Sequence, residues 1–265
     1  MNDAPGSPAT QARSAGPATR AGSPSRHATA LMVAAGSGQR LGAGGPKALV
    51  EVGGRPMFEW SLDAFRAATT ISAITVATPP GRAADFAVDD EVGDEGPMES
   101  GFADGGTGAV VYVDGGESRS HSVANALAMV ETDLVLVHDA ARPLVTAELI
   151  DACVNELAAR PEVDCVIAAA PVTDTIKAVD QDGIVIETLD RSRLRAIQTP
   201  QVFRTRALRE ALEGGDLAAA TDDASLIESN GGAVAVLQWT EPNVKITTSG
   251  DLDLVEHLLH KRNST

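Results

Sequence analysis

The strongest constraint on this chain is a repeated alternation of short apolar runs with stretches of helical spacing. Residues 29–35 (Thr-Ala-Leu-Met-Val-Ala-Ala) form a run too short for a buried helix, which predicts a buried strand. Residues 57–68 place Met57, Trp60, Ser61, Ala64, Phe65 and Ala68 at helical intervals. Residues 71–77 predict a second strand, ended by Pro79-Pro80-Gly81. Residues 110–113, 134–137 and 163–170 predict three more, and helical patterns over 120–130 and 146–159 separate them. Further on, helices are expected near 205–212, 222–229 and 249–260, with a strand at 233–237. Strands alternating with helices argue for an α/β fold with a mostly parallel central sheet.

One segment breaks the rhythm. Between residues 173 and 191, β-rich pieces flank Asp182-Gly183, a hairpin signal. The expectation is a projecting β-hairpin arm over 171–193, used for dimerisation. The first 27 residues are small and polar with Arg13, Arg20 and Arg26, lack an apolar signal core, and read as a disordered tail. That leaves one domain over 28–262, within which residues 82–109 carry the weakest structural signal.

Charge narrows the partners. Asp and Glu outnumber Lys and Arg, 37 to 21, for a formal charge of −16. Such a chain lacks the positive footprint of a nucleic-acid binder. No run of 18 apolar residues is present to span a membrane. Any phosphorylated ligand must therefore meet positive charge concentrated in one place. Cys153 and Cys165 read as buried free thiols of a reducing compartment, which places the chain in the cytoplasm.

The first strand runs into a glycine-rich loop, Ala34-Ala35-Gly36-Ser37-Gly38-Gln39-Arg40-Leu41-Gly42-Ala43-Gly44-Gly45-Pro46-Lys47. A strand feeding such a loop turns backbone N–H groups toward a phosphate. It is not a P-loop, because Pro46-Lys47-Ala48 stands where Gly-Lys-Ser/Thr is needed. A dinucleotide fingerprint is disfavoured, because Gly36, Gly38 and Gly42 are one residue too widely spaced and Thr78-Pro79-Pro80 replaces the ribose-binding acid. The pattern G-x-G-x-R…P-K fits nucleotidyl transfer. Charge then accumulates on departing pyrophosphate, and Arg40 and Lys47 bracket the loop as fixed cations. The chain has only four lysines, Lys47, Lys177, Lys245 and Lys261, so a lysine at this position carries weight.

Later segments extend the pattern in order: Gly115-Gly116-Glu117-Ser118-Arg119-Ser120-His121-Ser122, His138-Asp139-Ala140-Ala141-Arg142-Pro143, Pro171-Val172-Thr173-Asp174-Thr175-Ile176-Lys177, Gln198-Thr199-Pro200-Gln201, Thr221-Asp222-Asp223-Ala224-Ser225 and Asn243-Val244-Lys245-Ile246-Thr247. Together with the loop they resemble the 2-C-methyl-D-erythritol 4-phosphate cytidylyltransferases of the non-mevalonate isoprenoid pathway, over about residues 29–260. The resemblance implies a Rossmann-like nucleotidyltransferase fold. It implies CTP and methylerythritol 4-phosphate as substrates, Mg²⁺ or another divalent cation held mainly through the CTP phosphates, and a homodimer joined by the arm.

It also implies residue roles. Ala34, Ala35, Gly36, Ser37 and Gly38 would hold CTP, with Arg40 and Lys47 as transition-state cations. Gly116, Glu117 and Ser122 would face the nucleoside, and Asp139, Ala140 and Arg142 the ribose and second substrate. Lys245 would position the methylerythritol phosphate, with Thr199 and Thr221 lining its pocket. Thr175 and Arg191 would reach the partner subunit's substrate from the arm. Thr221 equally suits an N-cap for the helix that follows, and Asp139 could cap a helix after its strand. Three other readings stay open: the related ribitol 5-phosphate cytidylyltransferases, a non-catalytic nucleotide-binding module, and a dinucleotide-dependent oxidoreductase, which the glycine spacing disfavours.

Overall fold

A computed structural model describes residues 28–38, 44–87, 110–215, 217, 220 and 222–263 of the 265-residue chain. The N-terminal tail, most of the acidic stretch 82–109, Arg40 and Thr221 lie outside the described residues. The elements in order are β1 (Ala28–Val33), β2 (Glu51–Val52), β3 (Arg55–Pro56), α1 (Met57–Ala67), β4 (Ile71–Thr78), β5 (Val110–Asp114), α2 (Arg119–Leu127), β6 (Leu134–Asp139), α3 (Ala147–Ala159), β7 (Cys165–Pro171), β8 (Lys177–Val179), β9 (Val185–Thr188), β10 (Arg195–Arg204), α4 (Thr205–Gly214), α5 (Asp223–Ser229), β11 (Val234–Gln238) and α6 (Ser249–Asn263).

Seven strands form one sheet in the order β11-β7-β10-β6-β1-β4-β5. β1 sits between β4 and β6, parallel to both, and β5 and β11 extend the sheet in parallel at its two edges. Among the described strands of this sheet, only β10 runs antiparallel to its neighbours, wedged between β6 and β7. β1, β4, β6 and β7 are mostly apolar because helices cover both faces of the sheet. Ala30, Met32, Leu134 and Leu136 face α1 and α3, packing with Phe58, Phe65, Ile150 and Leu157. Leu31, Val135 and Val137 face the other way, onto Val123 of α2, Leu208 of α4 and Ile227 of α5. A smaller cluster seats α6 on the short β2–β3 hairpin through Val52, Met57, Ile246, Val255 and Leu259.

The five strands expected in the first two-thirds of the chain are present, within a few residues of their sequence-based bounds. β10 was not expected. Its sequence carries Thr199-Pro200-Gln201 at the centre, which argues against an interior strand. The structure accommodates them with a break in the β7 register between Ile197 and Gln201, where proline needs no ladder donor. The β2–β3 hairpin was also missed, two residues per strand being too short for any periodicity. The N-cap of α5 is Asp222, whose carboxylate accepts from Ser225 N at 3.0 Å, and not Thr221. Asp139 caps no helix; it ends β6.

The hairpin signalled by Asp182-Gly183 forms as β8 and β9, a two-stranded sheet separate from the main one. Its turn is closed by Asp180, whose carboxylate accepts from Asp182 N and Ile184 N. Val179, Ile184, Val185 and Ile186 all lie exposed on it.

Leu136 is completely buried at the centre of β6. Leu136→Ala is expected to destabilise the fold by about 2–5 kcal/mol, the cost of a residual core cavity. Urea unfolding with an unchanged m-value is the check.

Candidate functional site

Three loops meet at the carboxyl ends of β1, β5 and β6, the edge where open α/β sheets bind ligands. The loop after β1 doubles back on itself, with Lys47 N donating to Gly36 O at 2.9 Å. Gly38 sits inside that bend at φ +69°, and an added Cβ would press on Gly45 O and Lys47 at 3.1–3.3 Å. After β5, Gly115 N donates to Thr78 O at 2.7 Å, and a Cβ there would meet Ala35 Cβ at 2.6 Å. The two loops therefore lie against each other without side chains between them. Gly116 N donates to Ser122 Oγ at 3.0 Å, and that hydroxyl donates to Ser118 O at 2.9 Å. Ser122 thus folds the loop it was expected to serve from within.

These loops enclose a cavity of about 550 Å³. It gathers Ala34, Ala35, Gly36, Ser37, Gly38, Lys47, Gly116, Glu117, Ser122, Asp139, Ala140 and Lys245. A second cavity of about 500 Å³ lies beside it, holding Arg142, Thr199 and Gln201. Asp139, Lys245 and Arg119 line both and form the wall between them. Thr175 and Arg191 line neither. Arg191 Nη1 donates to Thr173 O at 2.6 Å across the base of the arm, and both Thr175 and Arg191 are exposed.

The wall is a chain of charges. Asp139 Oδ1 accepts from Arg119 Nε at 2.9 Å, and Oδ2 accepts from Lys245 Nζ at 2.6 Å. Arg119 Nη1 also reaches the fully buried Asp223 at 2.5 Å. Burial alone would raise the Asp139 carboxyl, but Arg119 and then Lys245 outweigh it and hold it well below the usual carboxylate range. For Asp223 burial wins: its pKa rises, with Arg119 offsetting only part. Burial likewise opposes the charge on Arg119, yet Asp223 and Asp139 overcome it and fix the guanidinium as a cation.

Arg119 was missed as a site residue. It stands inside the quoted segment after β5, in an acidic chain where each cation counts. The signal was its position directly after the Ser118 cap, which makes it the first residue of α2. Beside the wall, Arg142 Nη1 donates to Asn243 O at 2.7 Å. The hydroxyl of Thr199 is engaged with Asp139 N and with His138 Nδ1, at 3.1 and 3.0 Å.

Among the described residues no three His, Cys, Asp or Glu side chains are grouped as metal ligands. Both oxygens of Asp139 already face cationic nitrogens. The described residues form no protein cage for a divalent ion.

Comparison with known proteins adds the following. A family model described as 2-C-methyl-D-erythritol 4-phosphate cytidylyltransferase (IspD) matches residues 28–261. A Frankia casuarinae protein of that name is 40% identical over 233 residues, covering 87% of this chain and 80% of the relative. One from Synechococcus sp. is 40% identical over 236 residues, covering 88% of this chain and 99% of the relative. The crystal structure of the enzyme of that name from Thermus thermophilus superposes with a TM-score of 0.65 at 33% identity, over 88% of this chain and 98% of the other. The 4-diphosphocytidyl-2C-methyl-D-erythritol synthase of Anaerococcus prevotii gives 0.71 at 29%, with the same coverage.

The acid sensitivity of the fold can be read from His138, which is completely buried next to Asp139. Burial pulls its pKa down to about 4, against the pull of Asp139. The folded pKa lies below the unfolded one, so the stabilisation is complete above about pH 6.5 and is lost as pH falls toward 4. Urea midpoints should decline across that window with a slope approaching one proton, and His138→Gln should flatten the decline.

Proposed function

The chain belongs to the 2-C-methyl-D-erythritol 4-phosphate cytidylyltransferase family, and from that membership we infer that it transfers CMP from CTP to 2-C-methyl-D-erythritol 4-phosphate, releasing pyrophosphate, in isoprenoid precursor biosynthesis. The observation that carries the reading is the convergence of Lys47 and Lys245 on one cavity opening from the glycine-rich loop at the end of β1.

In the reaction a phosphate oxygen of methylerythritol phosphate attacks the α-phosphorus of CTP. A new P–O bond forms, and the bond to the β-phosphate breaks with its electron pair leaving on pyrophosphate. The attacking group is already anionic, so no general base is required. Positioning and charge stabilisation carry the rate. Backbone N–H groups of residues 35–38 cradle the phosphates, the Ala34 N–H being held by Ala77 O at 2.9 Å, and Lys47 faces the charge that develops on the leaving group. Arg40 takes the same task from its place in the loop motif. Glu117 and Gly116 approach the nucleoside.

Asp139 serves the ribose side. Its grip on Lys245 holds that ammonium at the boundary of the two cavities, where the acceptor phosphate would meet CTP. Arg142 and Thr199 line the acceptor side, and the sequence motif gives Thr221 the same task. A divalent cation held through the CTP phosphates would neutralise part of their charge.

The arm supplies the second half of the reading. Ile184, Val185 and Ile186 lie exposed on a hairpin detached from the main sheet, as expected of a segment that a second copy covers. In a homodimer so formed, Thr175 and Arg191 would reach the partner's acceptor pocket. Cys153 and Cys165 are free and buried, in keeping with a reducing cytoplasm, and burial pushes the Cys153 thiol up to about 12. Among the described residues no helix is long and apolar enough to cross a membrane.

Product analysis with CTP, Mg²⁺ and either methylerythritol 4-phosphate or ribitol 5-phosphate tests the assignment. The expected product is 4-diphosphocytidyl-2-C-methylerythritol; consumption of ribitol phosphate alone would replace it. Lys47→Ala should lower turnover about 10²-fold or more while weakening CTP binding far less, because its charge is needed in the transition state. Deleting residues 175–189 should give a monomer with little activity, read by light scattering and the same assay. An active monomer would remove the arm from the site.

A further inference from the structure

Under the floor shared by the two cavities lies a buried polar cluster with His138 at its centre. The ring stands edge-on to Phe65 of α1, with centroids 5.8 Å apart at 84°. Nε2 faces the carbonyl oxygen of Arg142 at 3.2 Å and, more distantly, Ser61 Oγ at 3.4 Å. A carbonyl can only accept, so Nε2 carries the proton. Nδ1 is then an acceptor, and Thr199 Oγ1, at 3.0 Å, donates to it. That hydroxyl in turn accepts from Asp139 N at 3.1 Å.

Every donor in the series is thereby assigned: the Asp139 amide to Thr199, Thr199 to Nδ1, and Nε2–H to the Arg142 carbonyl. The two ends of the series are the two ends of the turn 139–142, which is closed by Arg142 N donating to Asp139 O at 3.0 Å. The segment bearing Lys245 is tied to the same turn through Ile246 N to Ala141 O at 2.8 Å, and to β10 through Asn243 Nδ2 to Thr199 O at 2.8 Å.

We infer that His138 is a positioning residue for the transfer reaction: as a neutral imidazole protonated on Nε2, it holds both ends of the turn that aims Asp139 and Arg142 into the two cavities. Its effect on turnover rests on the activity proposed above; the protonation state of the ring rests on geometry alone. The charged groups acting on it are Asp139, Arg142 and Arg119, and burial with the two arginines favours the neutral form over the pull of Asp139. The acceptor and the donor are both needed. A phenyl ring of similar size would keep the contact with Phe65 but leave the Thr199 hydroxyl and the Arg142 carbonyl unanswered in the interior.

The experiment has two arms. In the first, long-range ¹H–¹⁵N spectra of the full chain at pH 7 report the tautomer of His138. A neutral ring protonated on Nε2 is expected; an Nδ1–H ring or an imidazolium overturns the inference, whatever the substrate proves to be. In the second, His138→Phe and His138→Gln are compared with the parent for turnover and, separately, for CTP affinity by calorimetry. His138→Phe should lower kcat by about 10- to 100-fold, the cost of a slightly misplaced group, with CTP affinity within about threefold. His138→Gln, whose amide offers a donor for the Arg142 carbonyl and an acceptor for the Thr199 hydroxyl, should recover most of that loss. A Phe variant that turns over like the parent overturns the inference, as does one that loses turnover and CTP affinity together, or a Gln variant no better than Phe. Should the Phe variant not fold, the spectra and the Gln variant still decide. A parent that forms no diphosphocytidyl product defeats the proposed activity instead, and the spectra then decide the ring's state by themselves.

Discussion

The carboxylate of Asp139 is the point on which the site turns. It lies almost out of solvent at the end of β6 and is shared by Arg119 and Lys245. A bare carboxylate there would be costly to bury, and two bare cations facing each other across the cavities would repel. Together the three form an arrangement in which one carboxylate holds Arg119 and the partly exposed Lys245 at the boundary of the cavities. Burial offsets much of the Coulomb attraction, so the cluster contributes placement more than stability. In a chain of formal charge −16 that placement matters, because unguided cations would pair with whichever surface acid lay nearest.

The two kinds of contact available to a triphosphate are divided between backbone and side chains. Loops after β1 and β5 offer N–H groups and stay narrow because glycines let them touch. Side-chain charge comes from other elements: Lys47 just after the first loop, Arg119 at the start of α2, and Lys245 from the irregular segment between β11 and α6. Asp223 holds Arg119 from behind, and its own raised pKa marks how little solvent reaches that corner. The second cavity is built differently, from Arg142 in the turn after β6 and Thr199 and Gln201 on β10.

How far the sequence speaks depends on which physical rule wrote each part. Strands buried on both faces leave continuous apolar runs, so β1, β4, β6 and β7 were legible, as was the glycine-rich loop. The Asp182-Gly183 hairpin was legible because its turn depends on local chemistry. β10 was not, since a central strand carrying Thr199-Pro200-Gln201 survives only through a break in register and through tertiary partners such as Asp222, to which Gln201 donates at 2.8 Å. The same holds in the site. The loop residues announce themselves by spacing, and the motif segments pointed to Asp139 and Lys245. The bridging role of Arg119 depends on Asp223, 104 positions away, and no local pattern encodes that pairing.

Those separations carry a kinetic meaning. Arg119–Asp223 and Asp139–Lys245 each close a loop of more than a hundred residues, 104 and 106 positions. The entropy of closing such loops must be met before either contact forms, so the pairs arise only once both halves of the sheet have docked. No fragment cut between them would hold a working nucleotide cradle. Conversely, a nucleotide that settles there clasps the early and late parts of the chain to each other, and so favours the folded state by mass action.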